Sequence, residues 1–99
     1  MVIYRKGELS PATVDRAWPY QVALRADLVM RDYRVIDEFC RELSLCARGH
    51  SVNDGNNWYK VFCFAEPEHA ATFMARFGGE RFDPAQRGRG ARWAQWRRC

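Results

Sequence analysis

Seven consecutive residues, Trp58-Tyr59-Lys60-Val61-Phe62-Cys63-Phe64, constrain this chain more than any other stretch. Aromatic and β-branched side chains at that density suit a pleated, half-buried strand and disfavour a helix. Their flanks supply the context. Asp54-Gly55 lies just upstream, and such a pair favours a hairpin because glycine accepts the positive φ the turn demands. His50-Ser51-Val52-Asn53 is then the pairing strand. Downstream, Glu66-Pro67-Glu68 opens a helix, with proline at the first helical position and acids at the positive end. Ala70, Phe73, Met74 and Phe77 make its apolar stripe, Gly78-Gly79 stop it, and Glu80-Arg81-Phe82 follows as a short strand.

The first half carries the same alternation. Tyr20 to Arg25 reads as a half-buried strand with Tyr20, Val22 and Leu24 on one face. Asp32 is a plausible N-cap for a helix running to about Arg48, with Ile36, Phe39, Cys40, Leu43, Cys46 and Ala47 as its stripe and Gly49 at its end. Ser10-Pro11 opens a turn or a single helical turn, and Met1 to Arg5 suits a short strand. Two right-handed crossovers of this length build one antiparallel sheet with both helices on a single face. The expected fold is therefore α+β, a ferredoxin-like βαββαβ plait over residues 1–84, with 1–17 as an N-terminal extension and 85–99 as a basic tail. The second sheet face is left open unless something covers it.

Residues 58–79 resemble the third strand and second helix of RNA-recognition-motif domains. The likeness rests on Val61-Phe62-Cys63-Phe64, the acidic-Pro-acidic turn Glu66-Pro67-Glu68, the early Ala70, then Phe73 and Phe77-Gly78-Gly79. It implies the plait fold and RNA binding on the open sheet face. Carried over, Tyr59 and Val61 occupy the exposed stacking positions of the third strand, and Gln21 and Ala23 those of the first. Lys60 stands where that family has Gly or Ala, and Trp58 where it has Gly, so Tyr59 alone is left as a stacking platform.

No enzyme signature accompanies the fold. His50 lies just past a helix end and His69 in a first helical turn, where both read as ordinary boundary or surface histidines. No catalytic residues and no cofactor are expected. Cys40, Cys46, Cys63 and Cys99 fit neither a compact disulfide framework nor the paired spacing of a zinc site, so no metal is expected. On one helix Cys40 and Cys46 would stand about 120° apart. They read as reduced thiols, three of them small core residues. No apolar run approaches the ~20 residues a membrane helix needs. The start, Met1 to Glu8, lacks the features of a secretory signal, which points to the cytoplasm.

The charge distribution carries most of the functional information. Net charge is +4, yet residues 85–99 hold five arginines and no acid, while the remainder holds eleven bases against twelve acids. In that tail Arg87, Arg89, Arg92, Arg97 and Arg98 alternate with Trp93 and Trp96. Arginine pairs with phosphate and indole stacks on bases, a pattern found in nucleic-acid interfaces. Trp93 and Trp96 are three apart, so on a C-terminal helix both would face one way and could dock on the open sheet. Two functions follow. The first is a small non-enzymatic protein that binds RNA or single-stranded DNA through the tail together with Tyr59, Lys60 and Trp58. The alternative is a protein-interaction module, of the kind small bacterial or phage accessory proteins represent, because tryptophan and arginine anchor interfaces. An open sheet edge also invites a homodimer.

Overall fold

The computed structural model describes residues 10–90 and 92–98. The strand expected over residues 1–5, and Cys99, lie outside that range. The elements are α1 (Pro11–Ala17), β1 (Tyr20–Arg25), α2 (Ala26–Cys40), β2 (His50–Asn53), β3 (Trp58–Phe64), α3 (Pro67–Phe77), β4 (Glu80–Phe82) and β5 (Gln95–Arg98), with a 3₁₀ turn at Pro84–Gln86. The strands form one antiparallel sheet in the order β4-β1-β3-β2-β5. The α+β class and the antiparallel sheet are as expected. The simple βαββαβ order is not: α1 precedes the first strand, and the tail contributes a fifth.

Local chemistry accounts for most boundaries. Ser10 caps α1 by accepting the Thr13 N–H at 3.2 Å, with Pro11 in the first turn. In α3, Pro67 opens the helix and Gly78, at φ 82°, closes it. Gly79 follows at φ 89°, and a side chain there would begin 2.7 Å from the Ala23 carbonyl oxygen. Only glycine lets the chain turn from α3 onto the edge of β1.

The helix expected from Asp32 to Arg48 is displaced. It starts at Ala26, directly off β1, and stops at Cys40; Asp32 sits inside it at φ −115°, ψ 19°, a kink between two helical pieces. The early stop has a tertiary cause. Ser44 carbonyl and hydroxyl oxygens both accept the Ala65 N–H, and the hydroxyl also accepts the Glu66 N–H at 3.1 Å. Leu45 then bridges to Phe64, and the Cys46 N–H donates to the Cys63 carbonyl at 2.8 Å. These bonds draw residues 44–46 beside the end of β3 and compete with the helical ladder. Cys46 accordingly packs on the opposite side of the sheet from Cys40.

Two apolar layers share the sheet. On one face Val22, Leu24, Phe62 and Phe64 meet Ile36 and Cys40 of α2 and Ala70 and Phe73 of α3. The Phe73 ring lies 4.8 Å from Phe62 and 5.4 Å from Phe64. The second face is also packed: Ala23, Val52, Val61, Cys63 and Phe82 are buried with Val14, Cys46 and Trp93. Cys40, Cys46 and Cys63 are buried, and burial, helped by Asp37, pushes the Cys40 thiol up to about 11. Among the described residues no helix is long and apolar enough to cross a membrane.

Phe62→Ala is expected to cost roughly 3–5 kcal/mol, since it deletes a buried ring and leaves a cavity against Phe73. Urea unfolding measures it. Tyr33→Ala, at an exposed ring on α2, is expected to stay within about 0.5 kcal/mol.

Candidate functional site

The second sheet face, left open in the plait unless something covers it, is covered by α1 and the tail. Trp93 is only 7% exposed. Its ring sits edge-on to Tyr59 at 5.3 Å and to Phe82 at 5.7 Å. No C-terminal helix forms. Gly88 and Gly90 take φ 73° and 70°, and the Gly88 N–H donates to the Trp93 carbonyl at 2.7 Å, reversing the chain. The tail then enters the sheet as β5, with Trp96 opposite Val52 and Arg97 opposite Ser51. Trp93 therefore docks while Trp96 stays 39% exposed. The stacking positions implied by the RNA-recognition resemblance lie under this cover: Val61, Ala23 and Gln21 are buried, and the Tyr59 hydroxyl donates to Asp54 at 3.2 Å.

A buried polar cluster holds the cover down. The Arg87 side chain is 8% exposed and meets Asp15 of α1 bidentately, NH2 to Oδ1 at 2.7 Å and NH1 to Oδ2 at 3.1 Å. Its Nε–H donates to His50 Nε2 on β2 at 3.1 Å. The guanidinium lies 5.4 Å from the Trp96 ring centre and 6.0 Å from that of Phe82. Gln21 donates to Asp15 Oδ1 at 3.0 Å and to the Trp18 carbonyl at 3.1 Å. Burial, and then the neighbouring Arg87 charge, lower the His50 pKa to about 4. His50 is thus a neutral acceptor. For Asp15, burial pushes the pKa up, but the hydrogen bonds from Arg87 and Gln21 outweigh it and the net shift is down. Arg87, expected as a phosphate ligand, is spent on the fold. Asp15 and His50 carry no local signal of this role; Gln21, a lone amide in an apolar strand, is the one hint.

The remaining cations divide between the faces. Arg92 pairs with Glu80 at 2.7 Å and lies 4.4 Å over the Trp93 ring. Arg89 is exposed in the turn. On the helix-covered side, α2 and α3 pack chiefly on β1 and β3. Opposed residues of an antiparallel pair share a face, so Trp58 and Lys60 of β3, Ser51 and Asn53 of β2, and Gln95 and Arg97 of β5 form the uncovered half of that side. Arg97 stacks 4.2 Å over the Trp58 ring. Among the described residues, Arg48, Lys60 and Arg97 have no acid within ion-pair distance. A cleft of about 680 Å³ runs between this area and α2; Val29, Tyr33, Ile36, Leu45 and Phe62 line it, and Asp37, Arg48 and Lys60 supply its charges.

One further constellation has the outline of nucleophile, base and acid. Ser44 Oγ lies 2.9 Å from His69 Nδ1, and His69 Nε2 lies 3.4 Å from a Glu66 carboxylate oxygen. However, Ser44 Oγ already accepts two backbone N–H groups, and His69 Nδ1 accepts the Ser44 N–H at 2.9 Å. With its lone pairs engaged, the hydroxyl ties the segment after α2 to the start of α3. His69 is half-buried rather than solvent-facing. Among the described residues no group of three or more His, Cys, Asp or Glu could hold a metal ion.

The polar cluster makes stability depend on acid. Because the folded His50 pKa, about 4, lies below the 6.5 of an ordinary imidazole, its contribution is full above pH 6.5 and is lost as pH falls towards 4. The loss is expected to be roughly 3 kcal/mol, read by urea unfolding at stepped pH, and to flatten in His50→Gln. Arg87→Ala leaves Asp15 without its charge partner and is expected to cost roughly 2–3 kcal/mol, less than a fully buried pair because Asp15 is partly exposed. Arg89→Ala, on the exposed turn, is expected to stay within about 0.5 kcal/mol.

Comparison of the chain with protein-family models, curated proteins and solved structures finds no match.

Proposed function

We propose that this chain is a protein-interaction module: a ferredoxin-like plait, extended by α1 and β5, whose working surface is the uncovered half of its helix-side face together with the β5 edge. The plait assignment draws support from the strand order β4-β1-β3-β2, with α2 and α3 packed on one side. The interaction reading rests on one observation. The Arg/Trp tail is not a free arm, because Trp93 is in the core and Arg87 is bound to Asp15. What the tail does leave exposed, Arg97 over Trp58, stands next to Lys60 and an apolar cleft. Aromatic and arginine side chains beside an apolar cleft suit the anchor residues of a protein partner.

A second reading keeps nucleic acid. Trp58 under Arg97, with Lys60 on the same face, is an aromatic–cation pair that a base and a phosphate could share. Under this reading the contacts are Trp58, Lys60 and Arg97, rather than the buried members of the expected set.

Affinity capture from source-cell lysate separates the two. The full chain is expected to retain a protein after nuclease treatment, and Lys60→Glu/Arg97→Glu is expected to lose it while melting at an unchanged temperature. Capture that disappears with nuclease, and falls steeply between 50 and 200 mM salt, would move the assignment to nucleic acid.

A further inference from the structure

We infer that the partner segment is an acidic, extended strand that adds to the free edge of β5 as a sixth strand; this rests on the protein-interaction reading above. Among the described residues β5 pairs with β2 on one side only and stands last in the sheet. In such a strand alternate residues turn their N–H and C=O groups away from the neighbour, an unfilled ladder for another extended chain. The opposite edge offers less. β4 is three residues long, and its Glu80 is already held by Arg92.

Charge selects the occupant. Residues 85–99 contain five arginines and no acid. Two already have acid partners within the chain, Arg87 with Asp15 in the buried cluster and Arg92 with Glu80 at the surface. Arg97 lies at the edge with its guanidinium 4.2 Å over the Trp58 ring, and among the described residues it has no acid partner. An acidic side chain one strand further out falls beside that fork. On the other face Trp96, 39% exposed, offers an apolar flank to the intervening residues of the same strand. A cationic edge ordinarily prevents aggregation, and here it also argues against a second copy of this chain. A two-fold pairing of two β5 strands centred on Arg97 sets that side chain opposite its own copy, and like charges facing across a strand pair are destabilising. Single-stranded nucleic acid matches the charge but has no backbone to fill the ladder. An acidic strand satisfies both.

The test selects random dodecapeptides displayed on phage against the full-length chain. Enriched sequences are expected to alternate Asp or Glu with β-branched or aromatic residues and to lack proline. A synthetic peptide from that pool should protect β5 amides from hydrogen exchange. N-methylation of the amides along one of its edges should weaken binding at least tenfold and along the other edge should not. Arg97→Glu, with an unchanged melting temperature, should weaken it at least fivefold. Enrichment of basic or helix-patterned peptides, no enrichment, or indifference to N-methylation overturns the inference. If lysate capture still survives nuclease and still depends on Lys60 and Arg97, the surface reading stands and only the strand fails. If capture lacks that dependence, the surface reading fails as well.

Discussion

The rest of this structure depends on one buried contact, the Arg87 guanidinium held between Asp15 and His50. It joins residues 72 positions apart in sequence, fastening the N-terminal helix and the C-terminal tail to the same face of the sheet. Removing two charges from water is costly, and the geometry offsets that cost: a bidentate pair of bonds to one carboxylate, a third to a neutral imidazole, and the Trp96 and Phe82 rings 5.4 and 6.0 Å from the guanidinium. Neither fastened piece would hold its shape alone. α1 has seven residues, short of the length at which an isolated helix persists in water, and the described residues between the 3₁₀ turn and β5 form no helix or strand.

Closing that face makes the sheet a wall between two cores. The central strands β1 and β3 are buried on both sides, which explains the apolar run Val61 to Phe64 and makes Gln21 an exception that must be paid for with hydrogen bonds to Asp15 and the Trp18 carbonyl. A binding surface in the middle of the sheet, where RNA-recognition-type domains carry theirs, is thereby filled by Trp93 and Tyr59. Exposure shifts outward to β5, whose Gln95, Trp96 and Arg97 are exposed, beyond the strands β1 and β3 on which the helices chiefly pack. The proposed function sits there because the fold leaves room there.

Residues whose signals are local were legible in the sequence. The Trp58–Phe64 strand, the Asp54-Gly55 turn and the Pro67 start of α3 are all found where composition and turn chemistry place them. Where a partner distant in sequence decides the outcome, reading failed. Asp32, chosen as a helix start, marks a kink, and the expected second half of that helix is drawn out by Ser44 bonding to Ala65 and Glu66, which no helical periodicity reveals. The Trp93–Trp96 spacing suggested a helix, but positive φ at Gly88 and Gly90 turns the segment back and sends the two rings to different environments. Of the candidate site, half-buried Lys60 and exposed Arg97 share one face; Arg87, Arg92, Trp93 and Tyr59 are committed to the other. Charge asymmetry identified the tail as important without showing that two of its five arginines, Arg87 and Arg92, pair with acids of the chain itself.

The central claim is that the tail is part of the fold. Cutting the chain after Pro84 tests it most directly, because the cut removes Arg87, Trp93 and β5 together while sparing both helices of the first core. Urea unfolding of the truncated chain is expected to show a loss of about 2 kcal/mol or more, from exposed aromatic area and the orphaned Asp15, along with new binding of an apolar dye to the uncovered face. A truncated chain as stable as the full one, with no dye binding, would contradict the account and return the tail to a free basic arm.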